Sequence, residues 1–360
     1  MKPTPDIHTR SGHPDFVDRD WATPISDWTS ERLVEMPEGI HRHQVVFFAY
    51  AEGVYSIKEL PPHLARHEFD TLRAMEDITR HTARAVGYVE RPWVAKDREW
   101  GGAVITEFVR HAFPYRELVS GIGFGERRDS LLDAFASLLV ELHLAGLYWG
   151  DCSLSNILYR WDASSIEAVM IDAETSRIYD TLSRGQRHED LAIMETNVAG
   201  EMADIAAAGG ADIEDADLFL GEDISKRYHS LWKELTTSLI VTAGDHYRIR
   251  QRIHRLNDLG FAVNDIDLIP VDDGINVKIR VKVGGRQFHS EQLRQITGID
   301  VSENQARSIL SDLTYHEAKF GLTTDTRKAV GAIKWRSSVF EPLVIQITDL
   351  LPATNPYQAY

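Results

Sequence analysis

Residues 143–158 read His143-Leu-Ala-Gly-Leu-Tyr-Trp-Gly-Asp151-Cys-Ser-Leu-Ser-Asn156-Ile-Leu. An Asp and an Asn stand five apart, behind an apolar run that predicts a helix and ahead of NILYR, which predicts a strand. Asp151 and Asn156 alone read most simply as turn caps. Sixteen residues further on, Asp172 follows a second apolar run, AVMI, predicted to pair with the first as a small hairpin. A loop built this way can aim one carboxylate at an attacking hydroxyl. It can also bring a neutral oxygen ligand and a second carboxylate to one magnesium ion.

The upstream half strengthens that reading. HQVVFFAY and VYSIKEL are β-rich runs separated by Ala51-Glu52-Gly53, which predicts a hairpin. Tyr55-Ser-Ile-Lys58 places a lysine on the second strand, where it can hold the α and β phosphates of a nucleotide. Pro61-Pro62 ends that strand, and a helix follows with Leu64, Leu72, Met75 and Ile78 near helical spacing. The lysine needs a buried carboxylate to fix it. Glu68 and Glu76 lie on nearly one face of the helix, and the short connection favours Glu68. AVITEFV (103–109) reads as a further buried strand, and its Glu107 is counted with the nucleotide-binding set, as is Gly53. The predicted order over 43–109 is strand, strand, helix, strand.

Protein kinases carry this order of strand-Lys, helix-Glu, strand, helix, Asp-x4-Asn and strand-Asp. The chain resembles, more specifically, the lipopolysaccharide-kinase-like proteins, mainly actinobacterial, that bear an uncharacterised C-terminal domain. YWGDCSLSNILYR, MIDAETSRIYDTLSRGQRHEDL, NVAGEMADIAAAG, RLNDLGFAV and ITGIDVSENQAR carry the resemblance, over about residues 40–350. It implies an α+β, protein-kinase-like two-lobed fold with a nucleotide between a small β-rich lobe and a helical lobe. It also implies roles: Asp151 as base, Asn156 and Asp172 as metal ligands, Lys58 as phosphate clamp and Glu68 as its partner. Asp190 could tie down the loop backbone, or merely cap its helix. ATP and Mg2+ are the implied cofactors, and an unidentified hydroxyl acceptor the implied partner. A small molecule, saccharide or lipid fits better than a protein. The alternative is a nucleotide-binding pseudokinase whose C-terminal domain binds a protein or anionic partner.

Three positions depart from the kinase pattern. The first hairpin has Gly53 but no Gly-rich loop. Trp149-Gly150 stands in place of His-Arg, so control by an activation-loop phosphate is not expected. Glu174 replaces the Gly of Asp-Phe-Gly and could bind the metal or spoil its site. Cys152, beside Asp151, is expected either at the cleft mouth or as a buried inert thiol.

The predicted organisation is an extended N-terminal arm (1–40), small lobe (41–110), helical lobe (111–225), C-terminal domain (226–350) and tail (351–360). The arm rests on Pro3, Pro5, Pro14 and Pro24. Gly209-Gly210 suggests a hinge. The C-terminal domain is expected to be mainly helical with a β-hairpin. YHSLWKELTTSLIV and a second helix ending at Gly260 precede DIDLIPV and NVKIRVKV, which flank Asp272-Asp273-Gly274. A capping box at Ser302-x-x-Gln305 opens a further helix. Trp232, Tyr247, Phe261 and Trp335 read as core.

Composition narrows the function classes. The 360 residues hold 39 Lys and Arg against 55 Asp and Glu, a formal charge of −16, which disfavours coating nucleic acid or an anionic membrane. Eleven acids and no Lys or Arg between His188 and Ser225 read as a solvated acidic face. Eight Lys and Arg against six Asp between Asp245 and Ser290 give a local excess better read as a salt-bridged surface than as a nucleic-acid site. The single cysteine permits no internal disulfide, and no stretch reads as a signal or membrane span. The cytoplasm is the expected compartment.

Overall fold

The computed structural model describes residues 4–34, 43–115, 118, 128–162, 165–209, 215–242, 246–258, 261–271 and 276–286, with isolated positions up to 310. The chain divides into two units, Met1–Arg160 with Ile166–Glu234, and Trp161–Ser165 with Leu235–Tyr360.

The first unit opens with an antiparallel five-stranded sheet. Its strands are β1 (Asp6–Thr9), β2 (Val45–Ala49), β3 (Val54–Leu60), β4 (Ala85–Glu90) and β5 (Gly102–Glu107), in the order β1-β4-β5-β3-β2. Helix α1 (Pro62–Glu76) lies on β4 and β5. Pro62 stands at its first turn, where a missing N–H costs nothing. Its buried face is Ala65, Glu68, Phe69, Leu72 and Met75.

Two expectations need correction here. Residues 4–34, within the arm expected over 1–40, do not form an extended arm. β1 pairs with the free edge of β4, and Phe16, Trp21, Ile25 and Trp28 join Phe48, Tyr55 and Ile57 in one core. Large aromatic side chains bury enough apolar area to outweigh the prolines between them. Leu33 then bridges Phe48, so the chain runs beside β2 before entering it. Second, the predicted order lacks a strand that the structure has between the helix and AVITEFV. The helix stops at Glu76, Ile78 is 46% exposed, and the chain re-enters the sheet as β4. No Gly or Pro between Asp77 and Arg84 marks that break.

The helical part comprises β6 (Ala112–Pro114), α2 (Arg128–Leu144), β7 (Leu147–Tyr148), β8 (Ile157–Asp162), β9 (Ser165–Met170), β10 (Arg177–Ile178), α3 (Arg184–Gly209) and α4 (Leu220–Thr236). α2 is buried nearly all round, as an apolar central helix must be. Its polar interruptions are docking points. Glu141 takes a hydrogen bond from Thr79 and an ion pair at 2.9 Å from His81, while His143 meets Tyr228 Oη at 2.8 Å and Asp190 at 3.0 Å. Gly146 ends the helix with φ +83°, and a Cβ there would lie 2.0 Å from Tyr179 O, so only glycine fits. Among the described residues no helix is long and apolar enough to cross a membrane.

The second unit carries β11 (Leu239–Thr242), α5 (His246–Asp258), β12 (Phe261–Pro270) and β13 (Asn276–Arg286), with strand order β11-β13-β12. The β12–β13 hairpin matches the two alternating runs of the sequence. YHSLWKELTTSLIV is not one helix. α4 stops at Thr236 and LIVT becomes β11, because its β-branched residues favour a pleated surface. The boundary expected at 226 lies instead after Glu234, since Tyr228 is buried against His143 of the first unit. Phe261 is buried, Trp232 half-buried and Tyr247 71% exposed, so Tyr247 is not core. Gly210, Gly260, the Asp272-Asp273-Gly274 turn, Ser302 of the capping box and Trp335 lie outside the described residues.

Candidate active site

Lys58 reaches the site through strand alternation. Tyr55 and Ile57 point into the core, and Lys58 points the other way. Its Nζ lies 2.7 Å from Glu68 Oε2, 3.1 Å from Asp172 Oδ2 and 3.7 Å from Glu174 Oε2. Glu76 is occupied elsewhere. It accepts from Arg10 at 2.8 Å and from the Ala85 N–H at 3.1 Å, fastening the start of β4. Burial alone would lower the pKa of Lys58, but the three carboxylates outweigh it and hold the lysine above its usual range. Burial pushes Glu68 up to about 7 against the pull of Lys58, with Asp172 and Glu174 adding to the rise.

Asp172 follows β9, and its Oδ1 accepts from the Glu174 N–H at 3.1 Å. Glu174 is buried, with Oε2 3.0 Å from Nε2 of the buried His43, which stands just before β2. Glu68, Asp172 and Glu174 each offer an oxygen within 4.8 Å of the others. The Oε1 atom of Glu68 is buried without a hydrogen-bond partner among the described residues. A buried cluster with three carboxylates and one ammonium favours a further cation. The donor set therefore fits a hard divalent ion, which prefers carboxylate and amide oxygens.

The loop 149–156 is held from α3. Asp190, fully buried, accepts the N–H groups of Trp149 and Gly150, each at 2.8 Å. Glu201 accepts those of Leu154 at 2.7 Å and Ser155 at 2.9 Å. Gly150 has φ +81°, and an added Cβ would come within 3.1 Å of Thr175 O. Asn156 Nδ2 donates to Asp151 O at 2.9 Å, which leaves its amide oxygen for another partner. Cys152 does not line the cleft mouth. It is 0% exposed, and burial pushes its thiol well above the usual range.

One cavity of about 460 Å³ gathers Lys58, Asp151, Asn156 and Asp172, together with Glu174 and His43. Gly53 and Glu107 are not brought to it. Lys58 pairs with Val45 at one end of the β2–β3 ladder, and Gly53 sits in the turn at the other, beyond the Ala49–Val54 pair. Four residues of strand lie between them, five residue rises or about 16 Å. Glu107 pairs with Tyr55, three positions from the Val104–Lys58 pair, and its carboxylate lies 3.7 Å from Arg84 and 3.8 Å from His13. β2 begins at the Lys58 end, where Val45 pairs with Lys58, and residues 35–42 lie outside the described residues.

Residues 51–215 match the Lipopolysaccharide kinase (Kdo/WaaP) family, and residues 230–360 match a domain of unknown function, DUF4032. No curated protein sequence is similar enough to match. Among solved structures, WaaP in complex with acyl carrier protein is 17% identical over 63% of this chain and 88% of that one, with TM-score 0.37. The Rio2 kinase–ADP/Mg2+–phosphoaspartate complex from Chaetomium thermophilum is 15% identical over 57% of this chain and 70% of that one, with TM-score 0.35. At those scores neither overlay adds to what the chain's own topology and family matches carry. Residues 51–215 thus resemble the lipopolysaccharide kinase (Kdo/WaaP) family, and they are joined to a segment that matches DUF4032.

Proposed function

We propose that the cleft binds magnesium ATP and transfers its terminal phosphoryl group to a hydroxyl. The carrying observation is the Lys58–Glu68 pair at 2.7 Å beside Asp172, in one cavity with Asp151 and Asn156. Lys58, fixed by Glu68, holds the inner phosphates. Asn156 and Asp172 hold the magnesium, which when bound neutralises charge on the phosphates. Asp151 faces the acceptor hydroxyl, orients it and accepts its proton as the new oxygen–phosphorus bond forms and the bond from the γ-phosphorus to the β-phosphate oxygen breaks, releasing ADP. Rigid positioning supplies most of the rate, and Asp190 and Glu201 provide it by fixing the backbone around Asp151. The proposed acceptor is a small molecule, saccharide or lipid in preference to a protein, a reading supported by the match to the lipopolysaccharide kinase family.

A ligand that binds only the native state raises its melting temperature. Magnesium ATP should therefore raise the Tm of the wild type. Lys58→Met and Asp172→Asn should fold and lose that shift. An unchanged shift in both variants would remove the assignment. A shift in the wild type with no transfer to any acceptor and no hydrolysis would favour the regulator reading, in which the crowding of Lys58 by Glu174 blocks turnover.

A further inference from the structure

A loop aspartate has two side-chain torsions through which it can turn away from its task. In this chain a residue from another element fixes it. Asn197 lies on α3, seven residues after Asp190 and four before Glu201, so all three share one face of the helix. Asp190 and Glu201 accept backbone N–H groups on either side of Asp151. Asn197 addresses the side chain itself. Its Nδ2 donates to Asp151 Oδ1 at 2.9 Å and to Cys152 O at 3.1 Å, which engages both hydrogens of the amide. On the other side, Asn156 Nδ2 donates to Asp151 O and lies 3.4 Å from Oδ2. Asn197 also lines the cavity.

We infer that Asn197 is a positioning residue for Asp151, setting the direction in which that carboxylate meets the acceptor hydroxyl. This rests on the phosphotransfer reading above for its consequence in rate, but not for the contact. The two hydrogen bonds fix both the side chain of Asp151 and the backbone of the next residue, so the carboxylate cannot rotate without breaking one of them. Asn197 is not among the residues assigned to nucleotide or metal, so its loss should separate chemistry from binding.

The test uses the full chain and magnesium ATP, with water as acceptor. Asn197→Ala should bind magnesium ATP as the wild type does and lose turnover by about 10²-fold, the scale of a misplaced reacting group. Asn197→Asp sets a carboxylate against both Asp151 Oδ1 and Cys152 O and should lower Tm by a few degrees. The exchanged pair, Asp151→Asn with Asn197→Asp, restores a donor and an acceptor in reversed order. It should regain part of that Tm, the contact with Cys152 O staying unrelieved, while remaining without turnover, because the carboxylate then stands on the wrong element. Wild-type turnover in Asn197→Ala, or a parallel loss of nucleotide binding, would overturn the positioning role. Failure of the exchanged pair to recover Tm would overturn the contact. A wild type that binds magnesium ATP and never cleaves it would instead sink the phosphotransfer reading, and the Tm arm would still decide whether Asn197 holds the side chain at 151.

Discussion

Glu68 is the residue whose ionisation is most exposed to experiment. Its carboxyl is raised from the ordinary 4.5 to about 7 by burial. A carboxyl raised in the folded state binds more protons there than in the unfolded chain, so its contribution to stability is present below pH 4.5 and lost as pH rises through 7. Urea unfolding at pH 5 and pH 8 should show Glu68→Gln gaining stability relative to the wild type as pH rises. Parallel midpoints at the two pH values would contradict it. Cys152 offers a second check at this scale. Its burial predicts no alkylation of the native protein by a thiol reagent, with or without nucleotide, and rapid reaction only after denaturant is added. At the residue scale, Lys58, Asp151, Asn156 and Asp172 were legible because sequence order and short spacing carry them. Asn197, Glu201 and His43 were not, because Asn197 and Glu201 reach the loop by tertiary packing from 46 and 47 residues away in sequence, and His43 reaches Glu174 from 131 residues away. The only trace was the spacing of Asp190, Asn197 and Glu201 along one helix face.

At the scale of elements, α3 acts as a template for the loop, and the N-terminal residues act as part of the small lobe's core. Glu201→Ala strands the N–H groups of Leu154 and Ser155 in a partly buried setting. Each costs about 1–3 kcal/mol when left unpaired. The variant should lose stability and turnover together, as chemical denaturation and ATP hydrolysis would show; undiminished stability would remove the template role. Trp21→Ala should cost about 3–5 kcal/mol, the range for deleting a buried tryptophan. Trp21 is 2% exposed and stacks edge-on with Trp28 at 4.9 Å. An arm free in solvent would cost almost nothing, so denaturant midpoints separate the two descriptions. The elements that the sequence hid share a cause. β1 and β4 are short strands whose meaning comes from the edge they join. β11 has no Gly or Pro ahead of it, so the apolar periodicity of α4 runs visually into it.

For the whole molecule, the division into two contact units sets the unfolding behaviour. Two such units need not unfold together. Calorimetry should show two transitions, with magnesium ATP raising only the one that carries Lys58 and Asp172. A single transition moved as a whole would mean that the units unfold as one. The charge of −16 gives a further expectation, no binding of duplex DNA at physiological salt, which a gel-shift titration would check.

The most direct measurement follows the γ-phosphate of labelled ATP with magnesium in the wild type and in Asp151→Asn, alongside nucleotide binding in both. Asp151 lines the same cavity as Lys58 without pairing with it, so its loss should spare binding and cut release or transfer of the label by about 10²–10⁴-fold. Equal transfer by Asp151→Asn, or label that never leaves ATP in a wild type that binds it, would contradict a phosphotransferase built on Asp151.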